Sequence, residues 1–160
     1  MNEELSNEER RALREVASTC LCQKARTAAR ALTRFYDRHF VGAGIEPTQF
    51  NLLTAIGLAG PVSLGRLAGY LGLERTTLTR NLAVLEREGI VETESTADAR
   101  QRLLKLTKKG RETLRANLPR WKKAQQAARV ALGTEKFGRM LDALSLPETF
   151  TSTQGTHHEN

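Results

Sequence analysis

Thr76, Thr77, Arg80 and Arg87 lie in one short stretch, RTTLTRNLAVLEREG, over residues 75–89. At about 100° per residue, a helix here turns Leu78, Leu82 and Leu85 inward. Thr76, Arg80, Ala83 and Arg87 then share the opposite face, with Thr77 at its edge. An arginine such as Arg80 can pair bidentately with the O6 and N7 atoms of guanine. Threonines in a first helical turn can meet thymine methyls or phosphates. A small residue such as Ala83 lets a helix sit deep in a groove. Taken alone, a Thr/Arg face is an ordinary solvated helix surface, so its neighbours must decide.

Those neighbours are informative. Leu64, Leu67, Ala68 and Leu71 fall on one face of a preceding helical pattern, and Ser63 caps it. Leu71-Gly72-Leu73 separates the two patterns, with a glycine where a positive φ is needed. This is helix-turn-helix spacing, in which the second helix enters the major groove. Gly89 ends that helix. Residues 90–94 and 102–106 read as strands around a polar loop, which makes a two-stranded wing. The wing holds Asp98, Arg100 and Arg102. One arginine suits a narrow minor groove and another suits a phosphate, while Asp98 orients an arginine by ion pairing. Lys108, Lys109 and Arg111 open the next helix and offer phosphate contacts, or simply a solvated helix start. Glu86 and Glu88 keep open a second reading, a winged helix that binds only protein.

The remaining elements must hold this unit. Ser6 and Glu9 form a capping box ahead of a long helix over 7–40, about 50 Å in length. Its apolar face runs through Leu13, Val16, Leu32 and Phe35. A small domain cannot bury all of that face, so part of it is expected against another chain. The alternative is a helix broken within 19–23. Glu46 and Pro47 start the next, mostly apolar helix. A helix over 108–132 carries Leu114, Leu118, Trp121, Ala124 and Ala128 on one face, with a kink or break expected at Pro119. Thr134 caps a last short helix that Pro147 ends. The fold class is mainly α with a small β-hairpin wing. The division is 1–46 as an N-terminal dimerisation helix, 47–110 as a winged helix-turn-helix, 111–147 as C-terminal dimerisation helices and 148–160 as a disordered tail.

Composition agrees. Of 160 residues, 25 are Lys or Arg and 18 Asp or Glu, for a net charge of +7. That suits an anionic partner. Aromatics at 5% argue against single-strand binding on stacking platforms. No apolar run nears the ~20 residues of a membrane span, and no signal peptide is apparent. A cytoplasmic location is expected. There is no phosphate cradle, no spaced Cys/His metal set and no G-x-S-x-G nucleophile motif. An enzyme is therefore not expected, nor a cofactor or metal.

The spacing of Leu67-Ala68, Leu71, Leu78-Thr79-Arg80, Leu82, Leu85-Glu86 and Gly89-Ile90-Val91 is followed by Asp98-x-Arg100, Leu103 and Leu106-Thr107-x-x-Gly110. Gly44-Ile45 precedes Gln49-Phe50 and Leu52-Leu53. Over residues 12–146 this resembles the MarR (multiple-antibiotic-resistance regulator) family of winged-helix transcription factors. The resemblance implies a homodimeric repressor with intertwined terminal helices, bound to a pseudo-palindromic double-stranded DNA operator. It implies that Thr76, Thr77, Thr79, Arg80 and Arg87 face the major groove and that Arg100 or its neighbour enters the minor groove. Ser63, Arg75 and Lys108 would then meet the DNA backbone. It also implies release by a small aromatic effector or by thiol oxidation.

Two sensor candidates follow. Tyr36, His39 and Phe40 with Phe50 and Leu53 offer a pocket for an aromatic acid, although His39 also reads as a satisfied interfacial histidine. Cys20 and Cys22 are the only cysteines. Side chains at i and i+2 of a helix point about 200° apart, so the pair cannot easily bridge. Cys20 shares the face of Leu13, Val16 and Ala17, which favours a buried structural thiol over an inter-subunit disulfide.

Overall fold

The computed structural model describes residues 4–95 and 102–145. The elements, in order, are α1 (Asn7–Thr19), α2 (Leu21–His39), α3 (Pro47–Ala59), β1 (Val62–Ser63), α4 (Leu64–Leu71), α5 (Arg75–Arg87), β2 (Val91–Ser95), β3 (Arg102–Leu106), α6 (Lys108–Leu132) and α7 (Thr134–Leu144).

The capping box at Ser6 is present. The Ser6 hydroxyl accepts from the Glu9 amide at 3.2 Å, and Glu9 accepts from the Ser6 amide at 2.7 Å. These bonds hold the Glu9 carboxyl below its ordinary pKa. The single helix expected over 7–40 is not observed. Cys20 adopts ψ 108° and divides it into α1 and α2. The Ser18-Thr19-Cys20 run consists of weak helix formers. The Ser18 and Thr19 hydroxyls donate to the carbonyls of Arg14 and Glu15, at 2.9 and 2.7 Å. Such back-bonding loosens a helix end. No residue of α1 is buried, and Leu13 and Val16 stay 52% and 55% exposed.

The core is built where apolar periodicity meets the winged unit. Helix α3 buries Phe50, Leu52, Leu53, Ala55 and Ile56, and α5 buries Leu78, Leu82 and Leu85. Leu53, Leu78 and Leu85 are fully enclosed. Each such leucine contributes about 1.5–3 kcal/mol by leaving water. The sheet order is β1-β3-β2, all antiparallel. The wing register sets Val91 opposite Leu106, and β1 adds Val62 opposite Leu104. A two-residue strand has no alternation to read, so apolar spacing does not predict β1. Ser63 both ends β1 and caps α4, accepting from the Arg66 amide.

Helix α6 leans back across this unit and runs through Pro119 without the expected break. A proline there removes only the bond to the carbonyl of Arg115, and both residues are exposed, so water can replace it. Asn117 is the one buried polar side chain among the described residues. It donates to the Thr113 and Ala43 carbonyls at 3.0 and 3.4 Å. One turn on, the Arg120 guanidinium spans the carbonyls of Val41 and Gly42 at 3.0 and 3.2 Å. Both tie α6 to the loop after α2. Helix α7 starts at Thr134, with Gly133 rather than Thr134 in the capping position. None of these helices is long and apolar enough to cross a membrane.

Candidate nucleic-acid interface

Two glycines set the orientation of α5. Gly72 sits in the left-handed region at φ 61°. This lets the Leu73 amide reach back to the Ala68 carbonyl at 3.0 Å and closes α4. At the other end, Gly89 takes φ 67°. The Ile90 amide then bonds the Leu85 carbonyl and the Gly89 amide bonds the Glu86 carbonyl, both at 2.9 Å. This paired closure is a Schellman motif, and it turns the chain from α5 into β2.

Between these turns, α5 presents the predicted face. Thr76, Thr77, Thr79, Arg80, Ala83 and Arg87 are all exposed, opposite the buried leucines. Arg80 has no hydrogen bond or ion pair among the described residues, so its fork stays available. Thr79 donates its hydroxyl to the Arg75 carbonyl at 2.8 Å, which leaves its lone pairs and methyl outward. Arg75 is exposed and lies against α4: a Cβ at Gly65 would come within 3.1 Å of its Nη2. That glycine gives the arginine room beside the helix-turn-helix. Glu86 does not join the outward face, because its carboxylate accepts from Thr93 of the wing.

The basic groups after the wing divide into two sets. Lys109 donates to the Glu88 carbonyl at 2.7 Å and Arg111 to the Leu106 carbonyl at 2.8 Å. Thr107 donates to the Gly89 carbonyl at 2.7 Å and caps α6. These side chains fasten the base of the wing to the end of α5. Lys108 remains exposed at the start of α6, and Arg102 is exposed on β3. Asp98 and Arg100 lie outside the described residues. Lys105 lies between Glu94 at 2.9 Å and Glu92 at 3.7 Å. Its pKa is raised, chiefly by the hydrogen bond to Glu94. The spacing of the sequence did not single out this cross-strand cluster.

The five effector candidates do not converge on one cavity. Tyr36 and Phe50 line a crevice of about 330 Å³ together with Trp121 and Gln125. The Tyr36 hydroxyl donates to Gln125, and partial burial raises its pKa. Phe40 packs edge-on against Phe50, with ring centroids 5.4 Å apart. Phe40 and Leu53 belong to the core. The His39 ring nitrogen lies 2.9 Å from the Phe35 carbonyl, so a local partner occupies it. The thiols are also placed differently from the expectation. Because Cys20 lies outside both helices, the 200° separation of a continuous helix does not apply to it and Cys22. Cys20 is half-buried, Cys22 is exposed and both are free.

This arrangement of leucine-backed helix, wing and long flanking helices is shared with known regulators. The family model described as MarR family matches residues 43–101. The chain is 37% identical to the M. tuberculosis transcriptional regulator MosR, solved in complex with DNA. That likeness covers 80% of this chain and all of that one, with a TM-score of 0.66. The chain belongs to the MarR family. The winged unit is thus the family's shared part, and α1, α2, α6 and α7 are its flanking helices. A cysteine-to-serine mutant of E. coli MarR, solved with operator DNA, shows the same fold at 22% identity. Its TM-score is 0.74 over 83% of this chain and 98% of that one. The uncharacterized HTH-type regulator YwoH of Bacillus subtilis is 27% identical over 88 residues, 55% of this chain. This match spans 64% of YwoH's own length.

Proposed function

We propose that this MarR-family chain is a cytoplasmic transcriptional repressor that reads double-stranded DNA as a homodimer. The observation that carries the reading is the outward face of α5. Three threonines, an unpartnered Arg80 and the small Ala83 are held in place by three buried leucines and two glycine turns. An α-helix fits the major groove, and the arginine fork matches guanine O6 and N7. Thr76, Thr77 and Thr79 supply methyl and hydroxyl contacts beside it, and Arg87 follows two turns on from Arg80. Ser63, Arg75 and Lys108 meet phosphates. Arg102 and the loop residues Asp98 and Arg100 form the wing's contact with the minor groove. The MosR complex with DNA, at 37% identity, supports this placement.

The open apolar face of α1 supports the dimer, since Leu13 and Val16 have no cover within the chain. Two copies present two recognition helices, so the operator is a pseudo-palindrome. A small ligand or an oxidant acting at the flanking helices then releases it. Winged helices can also serve as protein-interaction modules alone. Here the exposed face of α5 is neither acidic nor apolar, and Glu86 is engaged by Thr93.

Arg80→Ala tests the assignment. Titrated at fixed salt against a selected site, the variant should lose about 1–3 kcal/mol and discriminate less at one base position. Wild-type affinity and wild-type preference would refute the role of Arg80.

A further inference from the structure

A second cavity, of about 590 Å³, opens between α3, β3 and α6, with Thr54 and Lys105 among its lining residues. It shares no residue with the crevice of Tyr36 and Trp121. Ile56, Leu106 and Leu114 give it an apolar floor, and Arg111 and Arg115 stand over it on successive turns of α6. Gly57 gives the groove its depth. A Cβ there would lie 3.3 Å from Leu106 Cδ1 and 3.4 Å from Leu114 Cδ2. Arg111 is pinned at the edge through one nitrogen, by its bond to the Leu106 carbonyl at 2.8 Å. Its remaining donors are uncommitted. Arg115 has no hydrogen bond at all among the described residues. Neither arginine is ion-paired among those residues, whereas Lys105 is committed to Glu92 and Glu94.

We propose that this groove binds an amphipathic monocarboxylate, with its apolar body along Ile56, Leu106 and Leu114 and its carboxylate between Arg111 and Arg115. The charge complementarity is specific. Two unneutralised guanidinium forks call for a planar anion, and carboxylate matches them in geometry. The floor requires a substantial apolar body, and the volume lies in the ~300–1,000 Å³ range of small-molecule sites. The groove joins α6 to the β3 strand of the wing. On the reading of the chain as a DNA-binding regulator, an occupant here biases the angle between the flanking helices and the recognition unit.

Decanoate is a suitable probe, with decan-1-ol as its uncharged counterpart. Calorimetric titration of the full chain without DNA separates this site from the operator. Its failure leaves DNA reading intact, and a failure to bind DNA leaves this site intact. Decanoate should bind saturably, and decan-1-ol should bind at least about tenfold more weakly, as expected when a charge-assisted contact is absent. Arg115→Gln should weaken decanoate by about the same factor. Leu118→Asp, which adds a negative charge at the half-open mouth, should do likewise. Lys122→Gln, an exposed charge elsewhere on α6, should leave binding unchanged. No saturable binding up to about 1 mM, equal binding of the alcohol, or equal loss in Lys122→Gln would each overturn the proposal. So would a dimer that Leu118→Asp converts to monomer while decanoate fails to bind, since the groove would then be covered by a second copy.

Discussion

Gly110 shows how closely single residues constrain the recognition unit. A Cβ at this position would lie 2.1 Å from the carbonyl oxygen of Ile90, a backbone atom that cannot swing aside. The first turn of α6 therefore presses directly on the turn between α5 and the wing, and Thr107 bonds the same turn through Gly89. Gly110→Ala should cost at least about 1–3 kcal/mol in urea unfolding, the range for overpacking a tight contact. A loss well below that would show that the turn can give way. Leu78 sets the complementary limit. It is fully enclosed, and Leu78→Ala should cost about 2–5 kcal/mol by leaving a cavity behind the recognition face. Arg80→Ala, by contrast, should leave stability unchanged and alter only DNA binding, because nothing within the described residues depends on it.

At the scale of elements, the decisive features are terminations. Gly72 and Gly89 set where α4 and α5 stop, and hence which way the Thr/Arg face points. Gly72→Ala should destabilise the fold by about 1–2 kcal/mol, the penalty for a side chain in the left-handed region. Thermal unfolding would register it as a lower midpoint. These stops were legible in the sequence because glycine after an apolar helical pattern has a local physical cause. So were the leucine faces and the wing strands. Three features were not. The break at Cys20 arises from hydroxyls that bond back along α1, a competition that apolar spacing does not report. The strand at Val62 and Ser63 exists only because β3 supplies a partner more than 35 residues away. The clamps from Asn117 and Arg120 to the loop after α2 join residues over 70 positions apart. Of the site itself, residue types and spacing exposed the major-groove face. They did not reveal that Lys109 and Arg111 turn inward to hold the wing. They also grouped five effector residues that the fold separates.

At the scale of the molecule, α1 is the least supported element. Its apolar residues are open, and it is joined to α2 at a non-helical Cys20. A second subunit is its natural cover. Leu13→Asp combined with Val16→Asp should shift the chain from dimer to monomer in sedimentation equilibrium. The winged unit should remain folded, because neither side chain touches its core. An unchanged dimer would place the interface elsewhere. A dimer also doubles every phosphate contact, so binding must be salt-dependent. Lys108→Ala should reduce the slope of log affinity against log salt by about 1 per half-site while leaving sequence preference intact.

The most direct test of DNA reading by a symmetric pair of α5 helices is selection of bound duplexes from a random DNA pool at fixed salt. The expected result is an enriched pseudo-palindrome whose half-sites are centred about one helical turn apart, roughly 34 Å. Arg80→Ala should then degrade one position in each half-site symmetrically. Enrichment of a single, unpaired motif, or no enrichment above the starting pool, would contradict it.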